Sequence, residues 1–283
     1  MGFPDTRLTL IQRLASNGRE EDWARFMKDY WGPVCRLAMR WGAPELHDAE
    51  DVASQTFEAL LRNRLLVRWA SNRSAKLRTL LCRVVRNILS NRHRAKVNWD
   101  RLVRELAEIT EAEESDRTGE EQIKAFYAAW AEDAVGRAVE SLAAEYYHQG
   151  KGDYIRVLYG RLCQDLTIAE VAEALETPPA TVDHWYRHVK QALAQKLEQV
   201  VRRHAYRYCS GEEAEEEFTL EWNRLGQYMA DCGGLEESVR KAYELIDPVA
   251  TTRRGDTSLT RAVTRLTSII RSTKDVSESR DTT

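Results

Sequence analysis

Glycine and proline are scarce in this chain of 283 residues, at 14 and 6. That leaves few of the turns that an all-β fold needs at intervals of about 8–12 residues. Alternating β-branched runs are also few, while helical periodicity recurs along most of the chain, so the fold class expected is all-α. No apolar run approaches the ~18 residues of a membrane-spanning helix. The five cysteines (Cys35, Cys82, Cys163, Cys209 and Cys232) are odd in number, stand singly and form no C-x-x-C. This excludes a zinc ribbon or a disulfide framework and points to a reducing, cytoplasmic setting. The first residues lack the apolar core of a signal peptide. Met1-Gly2-Phe3-Pro4-Asp5-Thr6 formally fits a myristoylation pattern, but no second membrane signal stands near it, and no membrane partner is expected. Also missing are G-x-x-x-x-G-K-[ST], H-E-x-x-H and G-x-S-x-G. The six histidines fall mainly on basic segments. No catalytic residue, metal or cofactor is therefore expected.

Charge of one sign is lacking overall, with 42 Lys+Arg against 45 Asp+Glu and a net charge of −3. Taken as a sum, this argues against nucleic acid. The distribution argues the other way. Residues 43–58 hold five acids and no Lys or Arg, and residues 59–99 hold eleven Lys/Arg and no acid. Residues 100–121 carry nine acids against three bases, and 184–207 carry six bases against one acid. An acidic block at 210–221, six acids without a base, precedes a basic one at 253–274, six bases against one acid. Two basic blocks on well-patterned helical segments fit two nucleic-acid contacts better than solvated helix faces.

Breakers and composition divide the chain into a leader helix at 1–22 (Leu8, Ile11, Leu14), a helical unit at 23–98, and an acidic linker at 99–121. A second helical unit follows at 122–204 and a helical extension at 205–283, with a disordered tail from about 272. Within the first unit, Leu77, Leu80, Leu81, Val84, Val85, Ile88 and Leu89 form one apolar stripe. The opposite face collects Thr79, Arg83, Arg86, Ser90, His93 and Arg94, bases and hydroxyls suited to a phosphate backbone and nearby base edges. The polar segment ahead of it contains Trp69 and Asn72. Trp69 either holds an unstacked base or plugs the edge of the unit. Asp48, Glu50 and Asp51 open a further helix in which Val52, Phe57 and Leu60 or Leu61 face the core. Adjacent helix positions diverge too far for these carboxylates to share a metal, so helix capping or partner binding is the expected role.

Residues 167–193 carry a helix-turn-helix pattern. Thr167 N-caps a first helix over 168–175, Glu176-Thr177-Pro178 break it, and Pro179 opens a second. Val182, Tyr186, Val189 and Leu193 point inward, which leaves Thr181, His184, Arg187, His188, Lys190 and Gln191 for a major groove.

Together these segments resemble the sigma-70 family, in the compact two-domain extracytoplasmic-function (ECF) class of bacterial RNA polymerase sigma factors. The run Asp48-Ala49-Glu50-Asp51-Val52-Ala53-Ser54-Gln55-Thr56-Phe57 is close to D-A-E-D-x-x-Q-x-x-F with one residue inserted before the Gln. Residues 77–94 are close to f-r-x-W-L-x-x-i-a-r-N-x-x-x-d-x-x-R, and the helix-turn-helix follows in the matching order and separation. The resemblance covers about 23–95 and 137–203. It implies a sigma region 2-like domain and a region 4-like domain that bind core RNA polymerase and promoter DNA. Asp48, Asp51, Gln55 and Phe57 would dock on the polymerase. Trp69, Asn72, Arg83, Arg86, Asn87, Ser90 and Arg94 would melt and hold the minus-ten element. The helix from Pro179, with Thr181, His184, Arg187, His188, Lys190 and Gln191, would read the minus-thirty-five element. Three positions depart from the pattern: Leu80 replaces a frequent Trp, Glu176 a usual turn Gly, and Trp185 a commonly basic residue. Two other readings stay open, a helix-turn-helix regulator that works without polymerase and, more remotely, an enzyme. The extension is either a regulator that replaces or complements an anti-sigma factor, or a stabilising tail.

Overall fold

The computed structural model describes residues 10–62, 64–67, 77–92, 117–209, 211–244, 260–265 and 268, and no strand occurs among them. The helices are α1 (Leu10–Asn17), α2 (Glu20–Arg40), α3 (Leu46–Arg62), α4 (Leu77–Arg92), α5 (Arg117–His148), α6 (Gly152–Cys163), α7 (Ile168–Ala174), α8 (Pro179–Tyr208), α9 (Glu212–Asp231) and α10 (Leu235–Glu244). A short helical stretch covers 260–265. The chain forms two compact units, Met1–Trp130 with Ile246–Thr283, and Ala131–Leu245.

In the first unit, α2, α3 and α4 pack on one another, and α1 lies against α2. The α1 helix buries Leu10, Ile11 and Leu14, and its Arg13 reaches Asp22 at 3.0 Å. The apolar stripe expected on α4 is buried throughout, from Leu77 to Leu89. An aromatic cluster closes the core. Phe57 on α3 meets Phe26 edge-on at 5.7 Å and stacks on Trp31 at 6.0 Å, both on α2. Aromatic pairs in these geometries add to the area they bury.

The first fourteen residues of α5 belong to this unit, whose boundary falls at Trp130 rather than at 122. The cause is apolar. Phe126 and Trp130 are fully buried, and the Phe126 ring lies 6.4 Å from Tyr30. Arg78 on α4, buried itself, sits 5.1 Å over the Tyr127 ring and 4.9 Å over that of Trp130. Two aromatic faces thus hold a guanidinium that water no longer reaches. The Cys82 thiol donates to the Gln122 carbonyl at 3.4 Å, and burial pushes its pKa up to about 12, which keeps it a donor.

The second unit is organised by α8, which packs against α6, α7 and α9. Val182, Tyr186, Val189, Leu193, Leu197, Val201 and Ala205 are buried along one side of it. Residue 205 does not begin a separate body: α9 and α10 fold with the helix-turn-helix. Phe218 and Leu225 on α9 and Val239 and Ala242 on α10 are buried, and only tertiary packing shows where they go. Gly211 turns the chain between α8 and α9 at φ +62. Across that turn Arg202 lies 3.8 Å over the Phe218 ring and bonds both oxygens of Glu215, at 3.1 and 2.9 Å.

Because Phe57 joins two rings of α2 with no exposed surface, Phe57→Ala should lower unfolding free energy by about 3–5 kcal/mol. Urea denaturation followed by circular dichroism measures it, and an unchanged midpoint would contradict this account of the core.

Candidate nucleic-acid and partner interfaces

On α3 the spacing of Asp48, Asp51, Gln55 and Glu58, at i, i+3, i+7 and i+10, sets one polar stripe along the helix. Asp51 is exposed, and Asp48, Gln55 and Glu58 are half-buried. Asp48, in its first turn, suits the helix dipole as well as a partner. Phe57 must be corrected. It is fully buried, so it shapes α3 from inside and offers no surface to a partner. Its place in the family pattern and its place in the apolar stripe coincide, and the structure selects the second.

On α4, Arg83, Arg86, Asn87 and Ser90 fall at i, i+3, i+4 and i+7 and share the face opposite the buried stripe. Arg86 and Ser90 are exposed, while Arg83 and Asn87 are half-buried. Partial burial lowers the Arg83 pKa from the ordinary arginine value, and a guanidinium still keeps its charge there. This face combines two cations with an amide and a hydroxyl, the donors that phosphates and base edges accept. Trp69, Asn72 and Arg94 lie outside the described residues.

The helix-turn-helix is built from local chemistry. Thr167 caps α7: its hydroxyl accepts the Glu170 amide at 3.2 Å, and the Glu170 carboxylate accepts the Thr167 amide at 2.7 Å. This reciprocal pair satisfies two orphan donors of the first turn. At the other end the Thr177 amide bonds the Ala172 carbonyl at 2.9 Å, and the Glu176 amide bonds that of Glu173 at 3.1 Å. That pattern is a Schellman motif, which places Glu176 in left-handed backbone at φ +50. The usual turn glycine would sit there without strain. Gly160 on α6 allows the close approach of α7, since a Cβ would meet Val171 Cγ2 at 3.1 Å. Ala172 is buried, the small residue the crossing requires.

Along α8, His184, Arg187, His188 and Gln191 are exposed, and Thr181 and Lys190 are half-buried. The two cations are already paired. Arg187 holds Asp183 at 2.7 Å one turn back, and Lys190 holds Glu236 of α10 at 2.5 Å. Rings brace the other flank. Tyr154 of α6 lies 5.3 Å from both Trp185 and His188, and the Tyr146 hydroxyl is 3.2 Å from His188 Nδ1. Trp185 therefore serves as packing where the family pattern has a base.

Sequence reasoning missed Tyr154, Glu236 and Arg240, the last of which reaches Asp165 at 2.7 Å. These partners lie 30 to 75 positions away along the chain, and helical periodicity carries no sign of them. Burial and the neighbouring Glu236 carboxylate raise the Tyr186 phenol above its ordinary pKa. Among the described residues no group of three or more His, Cys, Asp or Glu could hold a metal ion, and no helix is long and apolar enough to cross a membrane. Compared with protein-family models, curated proteins and solved structures, the chain matches none.

Two outcomes follow from this geometry. Glu176→Gly removes a side chain from left-handed backbone, at the cost of a freer unfolded chain, and should stabilise the second unit by about 0.5–1 kcal/mol in thermal unfolding. A loss of stability would show that Glu176 makes a contact worth more than its strain. The carboxyls of Glu236, held by Lys190, and Glu145, held by Lys196, sit below the ordinary value of 4.5. The unfolded chain therefore takes up these protons first as pH falls. Stability should be level above about pH 5 and decline below 4.5. Glu236→Gln should flatten that decline in urea titrations at successive pH values, and an identical pH profile would exclude the pair.

Proposed function

We propose that this chain is a sigma factor of the extracytoplasmic-function class, a promoter-recognition subunit of RNA polymerase without chemistry of its own. The first unit is read as the domain that docks on core polymerase and opens the minus-ten element, the second as the domain that reads the minus-thirty-five element. The observation that carries this reading is the α4 face, where Arg83, Arg86, Asn87 and Ser90 stand together on the side opposite a fully buried stripe. No acid occurs from 59 to 99, so α4 carries no carboxylate of its own to repel a phosphate backbone. Support comes from the polar stripe of α3 in the same unit and, in the second, from a helix-turn-helix whose first helix, α7, is capped at both ends.

In mechanism, phosphate contacts to α4 would hold the duplex while captured bases offset the few kcal/mol of unstacking. Polymerase binding through the α3 stripe would supply the rest of the free energy. On α8, the cations must exchange Asp183 and Glu236 for phosphates. Exposed ion pairs contribute only about 0–1 kcal/mol, so this exchange is accessible.

One observation favours a second reading, a helix-turn-helix regulator that binds duplex DNA alone: Phe57, one of four docking residues, is buried. The two readings separate in one experiment. Arg83→Glu with Arg86→Glu should abolish run-off transcription by reconstituted polymerase while core pull-down stays unchanged. Unchanged transcription would refute the role of α4. Specific duplex binding without any core association would establish the regulator instead.

A further inference from the structure

One ion pair stands outside the roles proposed for the two units. Beyond the second unit, the described residues 260–265 and 268 belong to the first unit. There Arg265 Nη2 lies 3.1 Å from Glu58 Oε2 on α3. The other oxygen of that carboxylate is held by Arg62 at 2.8 Å, one turn along the same helix. Three residues before Arg265, on the same side of the stretch 260–265, Ala262 is buried. Val263 beside it is half-buried.

Glu58 belongs to the stripe that begins at Asp48, Asp51 and Gln55. This is the stripe assigned above to polymerase docking, and the inference rests on that assignment. Charge complementarity extends beyond the single pair. Residues 43–58 carry five acids and no Lys or Arg, whereas residues 253–274 carry six bases and one acid. Such blocks attract each other across a Debye length at moderate salt. The structure seats the described part of the basic segment on the last turns of the acidic helix.

We propose that the α3 stripe is an interaction surface that the stretch 260–265 of this same chain covers in the free protein, through Arg265 on Glu58, and that core polymerase displaces this stretch when it docks. Polymerase then meets a docking helix that is open only part of the time. Its apparent affinity is the intrinsic affinity reduced by the open fraction. The device is tuned weakly. One exposed pair biases such an equilibrium by up to about fivefold, so displacement by polymerase remains easy while unintended contacts with other cationic surfaces are suppressed.

The test uses the full-length chain, wild type and Arg265→Glu, with two readouts. Carbodiimide labelling of carboxylates, read by mass spectrometry, reports cover of Glu58 and Asp51. Fluorescence titration with core polymerase reports docking. The variant should show greater labelling of Glu58 and Asp51 and bind core about three- to fivefold more tightly, and Glu58→Arg combined with Arg265→Glu should return the labelling of Asp51 to the wild-type level. Unchanged labelling in the variant overturns the intramolecular contact. Increased labelling with unchanged or weaker core affinity overturns the competition. If neither form binds core, the docking role of α3 fails and the proposal falls with it, whatever the labelling shows.

Discussion

The second unit depends on one buried stripe along α8, from Val182 through Tyr186, Val189, Leu193, Leu197 and Val201 to Ala205. A helix of 30 residues is too long to be decided by local propensity, and packing of a single side decides it. Once that side is committed, the rotation of the whole helix is set. His184, Arg187, His188 and Gln191 face outward because Val182, Tyr186 and Val189 face inward. The following helix α9, which buries Phe218 and Leu225, packs against the same α8, so the segment beyond the helix-turn-helix shares a core with the helix that it follows.

Charge acts on a second level. The acidic and basic blocks are separate in sequence, yet Arg202 meets Glu215 and Arg265 meets Glu58 in the folded chain, and Lys190 and Lys196 pair with Glu236 and Glu145 outside the acidic blocks. Such pairs add little to stability at an exposed surface. What they change is availability. A cation held by a neighbouring carboxylate is neutralised until something more anionic arrives, which fits a surface meant for one partner rather than for any polyanion.

Much of this was legible in residues alone. The α4 stripe, the Thr167 cap and the break at Glu176-Thr177-Pro178 are all local signals, and all appear where periodicity and capping place them. The illegible parts are long-range. Phe57 satisfies two patterns at once, and only the rings of Phe26 and Trp31 decide between them. The limit of the first unit at Trp130 depends on Arg78 and Tyr30, which lie more than fifty positions upstream. The pairing of Lys190 spans 46 positions and leaves no trace in helical spacing.

The Lys190–Glu236 and Arg187–Asp183 pairs bear on thermodynamics rather than on geometry. A protein that neutralises phosphates releases condensed counterions, and its affinity falls steeply as salt is added. When each protein cation must first leave a carboxylate, added salt loosens that internal pair as well as the phosphate contact. The two effects oppose each other, so any affinity of this helix face for a polyanion would decline with ionic strength more gently than its cation count implies. A folded protein can in this way buffer its own recognition against the salt of its surroundings.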